Sequence, residues 1–266
     1  MTSRAPIILG AVALVIASCT SASSATSTAS TSDMSAQCPT EGEEFETAML
    51  FVEHNATDAD TGVQGNFGGE AWTELCIWKP DGELVLSVRP EGAMADLGVA
   101  DLFFESREPP NDERSIDELL SAFPEGDYLV GATGFDGTAR VASAAFTHDI
   151  PAEPAITSPR LAEDEEEAAD LILARSDVIV SWEAVTETLN GDPANITGYE
   201  VIVTKADHDD PNGLSRPVYD VHLGPDATSL PVPDQFFEPA TLYELEVLAL
   251  EVSGNQTISL GFFTTK

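Results

Sequence analysis

The clearest pattern in the chain is a strict alternation of apolar and charged positions that begins at Tyr243. From Tyr243 to Ala249 the odd-numbered residues are apolar, and Glu244 and Glu246 stand between them. A period of two indicates a strand that buries one face and exposes the other. Pro239, just upstream, marks a corner where the chain turns into the strand. We therefore predict a strand over residues 241–250 in which the Tyr243 hydroxyl bonds the backbone of that corner.

The same kind of pattern recurs throughout the C-terminal half. It predicts seven strands, which begin near Ile156 and then cover residues 177–184, 198–205, 218–223, 228–232, 241–250 and 257–265. Glu163–Glu167 interrupts this series as a run of acidic residues, and residues of helical composition follow it. We interpret the run as a surface insertion that contains one or two helical turns.

Strand patterns and turn signals also fill the N-terminal half. Apolar or alternating stretches predict strands at residues 46–54, 71–79, 83–89, 99–105, 127–133 and 138–147. Pro80-Asp81-Gly82 and Phe135-Asp136-Gly137 separate neighbouring stretches in the way that hairpin turns do. One helix is expected after Ser115, because Ser115 and Glu118 form a capping-box pattern ahead of apolar residues at helical spacing. This half is thus predicted to be a mostly β, sandwich-like domain with one short helix.

A proline-punctuated segment at residues 150–159 joins the two halves. Proline favours a stiff, extended backbone, so we expect the halves to keep a fixed relation. The domain boundary is placed there, which gives one domain over residues 38–150 and a second over residues 151–266.

Three motifs in the second domain resemble those of fibronectin type III domains. They are Val178-x-Val180-x-Trp182, Ile196-Thr-Gly-Tyr199-x-Val201-x-Val203 and Phe237-x-Pro239-x-Thr241-x-Tyr243. The resemblance implies a seven-stranded Greek-key sandwich in which Trp182 and Tyr199 are buried and Tyr243 forms a tyrosine corner. Phe237 stands where that family commonly has Leu, and the acidic insertion is unusual for it.

The first residues have the character of a targeting segment. Arg4 precedes an apolar run over residues 7–17, which is too short to span a bilayer as a helix. The run ends Ile16-Ala-Ser-Cys19, which resembles a bacterial lipobox and implies a signal peptide over residues 1–18 and lipidation of Cys19. An ordinary signal peptide that is cut near Ala17 is the alternative. The resemblance implies a membrane-anchored, extracytoplasmic protein of the bacterial cell envelope, on the outer membrane if the cell is Gram-negative.

Residues 19–37 are rich in Ser and Thr and hold one large apolar side chain, that of Met34. Such a segment cannot offset the entropy of folding, so we expect a disordered tether. In an oxidising compartment the two remaining cysteines, Cys38 and Cys76, are expected to form a disulfide. Two buried thiols are the alternative.

The chain is strongly acidic, with a formal net charge of -36 from 47 acidic and 11 basic side chains. This charge repels phosphate backbones, so nucleic acid is not expected as a partner. It fits a solvated surface in a salty medium, or a protein that collects divalent cations.

Candidate chemistry is sparse. The four histidines have no nucleophile motif nearby. With 47 acidic residues, pairs of carboxylates arise by chance, so a pair is no evidence for a glycosidase site. The sequence therefore does not predict an enzyme. Asp58 and Asp60 stand before a glycine as in the opening of a calcium loop, and Glu70 is a further candidate ligand. A solvated turn is the alternative. Trp72 and Trp78 lie on one face of a regular strand, where they stack on a sugar or pack in the core.

These features together predict a non-catalytic, lipid-anchored envelope protein whose β-domains bind or scaffold an extracytoplasmic partner. That partner is a protein or a glycan, and no cofactor is expected apart from calcium. Two alternatives stay open: an accessory of a carbohydrate-active enzyme, and a calcium-dependent adhesion module.

Overall fold

The computed structural model describes residues 38–206 and 217–266. The predicted signal peptide (1–18), the Cys19 lipidation site and the tether (19–37) lie outside these residues. Among the residues that are described, no helix has the length and apolar character needed to cross a membrane. Two hydrophobic clusters organise this part of the chain, one in residues 38–150 (the N-terminal lobe) and one in residues 151–266 (the C-terminal lobe).

The N-terminal lobe contains seven strands and one α-helix among its described residues. In chain order they are β1 (Glu43–Glu44), β2 (Thr47–Asn55), β3 (Asp60–Trp78), β4 (Leu84–Val88), β5 (Val99–Glu105), α1 (Ile116–Ala122), β6 (Gly126–Gly134) and β7 (Ala139–Phe146). The predicted capping box is formed, since the Ser115 hydroxyl accepts from the Glu118 amide and the Glu118 carboxylate accepts from the Ser115 amide. The predictions of one short helix and of two hairpins, β3–β4 and β6–β7, are confirmed.

The C-terminal lobe contains the seven predicted strands, together with one additional short strand and one helical turn. In chain order they are β8 (Ile156–Ser158), α2 (Glu165–Ala168), β9 (Ile172–Leu173), β10 (Ile179–Trp182), β11 (Ile196–Lys205), β12 (Val218–Leu223), β13 (Ser229–Pro231), β14 (Leu242–Glu251) and β15 (Gln256–Thr265). Short 3-10 turns lie at Gly92–Met94 in the first lobe and at Asp234–Phe236 in the second.

Two antiparallel sheets form the C-terminal sandwich. One has the order β13-β10-β8, and the other has the order β15-β14-β11-β12. Trp182 on the first sheet packs on Tyr199 of the second, with 5.3 Å between the ring centroids. This strand order is that of a fibronectin type III domain. The predicted mostly β fold, with a sandwich of this topology in its second half, is therefore confirmed.

Tyr243 lies where the tyrosine corner was expected. Its hydroxyl accepts a hydrogen bond from the Glu238 amide at 2.8 Å and donates to the Phe236 carbonyl at 3.3 Å. Tyr199 has a similar role on β11, since its hydroxyl accepts from the Val185 amide at 2.7 Å. Both rings are fully buried, so each tyrosine joins the core to a backbone segment outside the strand ladder.

Strand β3 is much longer than the sequence predicts, with 19 residues. The prediction began at residue 71, because glycines at positions 62, 65, 68 and 69 break the apolar alternation upstream. Two of those glycines, Gly65 and Gly68, let β5 lie close to β3. A Cβ atom on Gly65 would stand 2.5 Å from the ring of Phe104, so a larger residue does not fit. The first part of β3 pairs with β2 and β5, and the part after Trp72 pairs with β6 and β4.

Trp72 and Trp78 do not share a face, in contrast to what regular alternation predicts. The register of β3 against β6 shifts between Trp72 and Glu74, as at a β-bulge. Trp72, Leu75 and Ile77 consequently belong to the core, whereas Trp78 is half-buried on the other side of the strand.

The two lobes share one continuous sheet. Strand β15 pairs with β2 in parallel, and Gln256 lies beside Glu53. Asn255, which is 1% exposed, accepts from the Val52 amide at 2.8 Å and donates to the Thr147 carbonyl at 3.1 Å. A disulfide between Cys38 and Cys76 ties the start of the first lobe to β3.

Candidate functional site

One face of the continuous sheet collects carboxylates from both lobes. Residues that lie opposite each other on neighbouring strands point to the same side of a sheet. The register pairs Glu105 with Gln64, Gln64 with Phe51, and Glu53 with Gln256. Across the C-terminal sheet it then pairs Gln256 with Leu250, Leu248 with Glu200, and Glu200 with His222. We call this surface the acidic face. Its carboxylates are Glu53, Asp60, Glu105, Glu108, Glu200, Asp220, Glu244 and Glu246.

No lysine or arginine of the described residues forms a salt bridge with these carboxylates. The described lysine and arginine pairs involve other acids, namely Glu43, Glu74, Glu83, Glu113 and Glu238. Within residues 38–206 and 217–266 the face has one ion-pair partner, His222, whose Nε2 lies 3.3 Å from Glu200 Oε1. The negative charge of the face is therefore largely uncompensated by basic side chains of the described chain.

In the N-terminal lobe this crowding acts on Glu108, which follows β5. Burial, followed by the nearby charges of Glu53 and Glu105, raises the pKa of Glu108 to about 7. Burial also raises the pKa of Glu53, although the hydrogen bond from Gln256 opposes the shift. Glu108 Oε1 and Asp60 Oδ1 are buried and have no hydrogen-bond partner among the described residues. Glu108 and Glu53 therefore keep their protons at pH values at which exposed carboxyl groups are ionised.

In the C-terminal lobe the same effect centres on β14. Burial, followed by the neighbouring carboxyl of Glu244, raises the pKa of Glu246 to about 8. Burial raises the pKa of Glu200 as well, while the charge of His222 lowers it. Removing carboxylates from water and placing them side by side both disfavour the ionised form. A cation that neutralises the face would relieve this repulsion.

Exposed apolar side chains flank the acidic face on the N-terminal lobe. Met49 on β2 and Phe103 on β5 both lie opposite Asn66 of β3, so they share its face. Both are substantially exposed. The surface therefore combines negative charge with apolar groups that a partner can cover.

The predicted calcium ligands lie at two separate places. Asp58 is in the β2–β3 turn and Asp60 begins β3, whereas Glu70 lies ten residues further along that strand. The turn is closed by its own side chains, because Asn55 Oδ1 accepts from the amides of Thr57 and Asp58, each at 3.0 Å. Among the described residues, no group of three possible metal ligands includes Asp58, Asp60 or Glu70.

Two of the described histidines have structural roles. His54 Nδ1 lies 2.9 Å from the hydroxyl of Thr61, which is buried and beyond the reach of a substrate. His148 Nε2 lies 2.8 Å from the Phe123 carbonyl. His222 is different, because its side chain is 68% exposed and stands beside Glu200 and Asp220.

Sequence reasoning missed most of the acidic face. The alternation around Glu244 and Glu246 predicts that these side chains lie on the exposed face of the strand. Nothing in the local pattern shows that Glu53, 191 residues before Glu244, shares that surface. The missing information is the pairing of β2 with β15.

Comparison with known proteins finds no matching family model and no matching curated protein. Among solved structures, the chain is similar to the FN1–FN3 domains of chicken CNTN1, with 15% identity over 85% of this chain and 68% of that one and a TM-score of 0.30. It is also similar to a tetra-tandem repeat from the extending region of a large adhesion protein, with 14% identity over 83% of this chain and 50% of that one and a TM-score of 0.25. Both TM-scores are below 0.5, so the fold assignment rests on strand order and register.

Proposed function

We propose that this protein is a non-catalytic scaffold of the bacterial cell envelope, anchored by a lipid on Cys19, that binds a basic protein partner through its acidic face. The main support is that the acidic face runs across both lobes on one sheet. In the described part of the chain its carboxylates have no lysine or arginine partner. A surface of one sign attracts partners of the opposite sign and accelerates their encounter.

The arrangement of the lobes supports a role as a rigid binding platform. The parallel pairing of β2 with β15 and the buried side chain of Asn255 hold the two halves of the face in register. A rigid surface does not lose conformational entropy when it binds, which favours affinity. The predicted tether of 19 residues would give the platform a reach of roughly 25 Å from the membrane.

The proposal is tested with the full mature protein in lipid nanodiscs and a fluorescent 20-residue poly-lysine peptide as the probe. The face variant carries Glu53→Gln, Glu105→Gln and Glu108→Gln. The matched control carries Glu165→Gln, Glu166→Gln and Glu167→Gln, which removes the same number of carboxyl groups from α2, and binding is measured at pH 8, above the pKa of Glu108. If each ion pair with the peptide contributes about 0.5 kcal/mol, three losses weaken binding roughly tenfold in the face variant.

Binding that weakens equally in the face variant and the control would mean that net charge, not the acidic face, attracts the peptide, and the proposal would fail. The anchor is tested separately by membrane fractionation. Cys19→Ala should leave the protein unprocessed or released, and unchanged lipid labelling of that variant would refute the anchor.

A further inference from the structure

Three side chains with metal-binding atoms meet on the β11–β12 hairpin, at the C-terminal end of the acidic face. Glu200 and His222 lie directly opposite each other in the register. Asp220 precedes His222 by two residues on β12 and therefore points to the same side. One ligand atom from each residue lies within 4.8 Å of the others.

These spacings are close to those around a bound transition ion. Ligands bound tetrahedrally to zinc at about 2.0–2.2 Å lie roughly 3.4 Å from each other. His222 Nε2 and Glu200 Oε1 are already 3.3 Å apart. Asp220 and His222 are exposed on the edge strand β12. A change of side-chain rotamer can therefore bring the Asp220 carboxylate to coordination distance without disturbing the core.

We propose that Glu200, Asp220 and His222 bind one divalent transition ion of the zinc type. Two carboxylate oxygens and an imidazole nitrogen are a donor set that zinc accepts, and three protein ligands leave a fourth position for water or a partner's side chain. Calcium needs six to eight oxygen ligands, which this hairpin does not supply. An imidazole ligand further favours zinc, cobalt or nickel over calcium and magnesium.

The surroundings of the hairpin favour a cation. Glu244 and Glu246 on the neighbouring strand β14 belong to the same face, and the negative charge that this pair of carboxyl groups keeps adds negative potential beside the three ligands. These two residues do not belong to the cluster of three. A substitution at Glu244 therefore measures how much the negative charge of the face attracts cations, and a substitution at His222 measures coordination.

The site does not depend on the proposed binding of a basic partner. Glu53, Glu105 and Glu108, which test that proposal, lie on the other lobe. If poly-lysine binding proves nonspecific while His222-dependent zinc binding persists, the proposed function falls and the metal site stands.

The test is isothermal titration of the tag-free full mature protein with ZnCl2 at pH 7.5, in a buffer free of chelators. One saturable site is expected, and millimolar CaCl2 should not displace the zinc. His222→Gln should lower zinc affinity at least about tenfold, since even outer-shell changes at metal sites have effects of 10–100-fold. Glu244→Gln, which removes a neighbouring charge but no ligand, should lower it less than about threefold.

Copper gives an independent readout of the imidazole. With one equivalent of Cu²⁺ the wild-type electron paramagnetic resonance spectrum should show nitrogen coupling, and His222→Gln should lose it. Equal zinc affinity in wild type and His222→Gln, or an equal loss in Glu244→Gln, would overturn the proposal. Displacement of zinc by millimolar calcium would overturn it as well. His222 is exposed, so its substitution leaves the fold available for each measurement.

Discussion

Tyr243 combines packing and hydrogen bonding in one side chain. Its ring lies 5.2 Å from that of Phe237 in an edge arrangement, and 5.7 Å from that of Phe263 in a stacked one. Its hydroxyl holds the corner before β14 through the Glu238 amide. Removing the hydroxyl therefore tests the corner alone, because the ring contacts persist.

Tyr243→Phe should lower the free energy of unfolding by about 1–3 kcal/mol, since the Glu238 amide loses its acceptor in a partly buried place. Tyr219→Phe is the matched control. The hydroxyl of Tyr219 has an exposed contact of 3.5 Å to the Pro231 carbonyl, so its loss should change stability by less than about 0.5 kcal/mol. Urea denaturation of both variants gives the comparison, and equal effects would contradict the role of the corner.

Glu108 shows how the acidic face links stability to pH. Its folded pKa of about 7 is above its ordinary value, so it contributes stability that is present below its unfolded pKa and is lost as pH rises through about 7. Glu108→Gln should therefore have a higher melting temperature than wild type at pH 8, and the difference should shrink toward pH 5.

The control for Glu108 is Glu165→Gln, which removes an exposed charge from α2. Both variants remove one carboxyl group, so a change in melting temperature that appears in Glu108→Gln and not in Glu165→Gln comes from the position of Glu108. A gap between Glu108→Gln and wild type that stays constant from pH 5 to pH 8 would show that Glu108 is not protonated as described.

At the scale of strands and helices, local pattern predicts what lies within one segment. The alternation around Tyr243, the capping box at Ser115 and the two hairpin turns all appear where the sequence places them. The local pattern does not predict the first half of β3, because Gly65 and Gly68 interrupt it to make room for β5, which is distant in sequence. The acidic face was missed for the same reason, since it depends on which strands pair.

Gly65→Ala tests the close approach of β3 to β5. The added methyl group would meet the rings of Phe104 and Phe67 at 2.5 and 2.6 Å, and Phe67 is fully buried and has no room to move. Overpacking of this kind should lower the free energy of unfolding by about 1–3 kcal/mol.

Gly224→Ala is the control for this substitution, because no atom lies within 4 Å of the added carbon. It should be neutral or stabilise the protein by less than about 1 kcal/mol through the unfolded chain. Chemical denaturation of the two variants decides the matter, and a neutral Gly65→Ala would mean that β5 does not lie this close.

At the scale of the whole molecule, the parallel pairing of β2 with β15 turns two lobes into one sheet. The pairing spans three register positions, and side chains supply much of the rest of the junction. The Leu260 amide donates to the Thr57 hydroxyl at 2.9 Å, and Thr147 donates to Ser253 at 2.9 Å. A proline-rich join predicted a fixed relation between the halves, but the residues that fix it are polar and lie elsewhere.

Asn255 is the centre of this junction, and its replacement is the sharpest test of the two-lobed platform. Asn255→Ala leaves the buried Val52 amide without its acceptor and the partly buried Thr147 carbonyl without its donor. An unsatisfied buried group costs about 1–3 kcal/mol, and this cost falls on the contact between the lobes and not on either core.

Scanning calorimetry should therefore show one transition for wild type and two for Asn255→Ala, as the lobes begin to unfold separately. Asn195→Ala, an exposed asparagine of the C-terminal lobe, is the control and should keep the single transition. If Asn255→Ala melts in one step at a lower temperature, the lobes are coupled mainly through the β2–β15 backbone pairing. If it melts as wild type does, Asn255 does not hold the junction, and the continuity of the acidic face rests on other contacts.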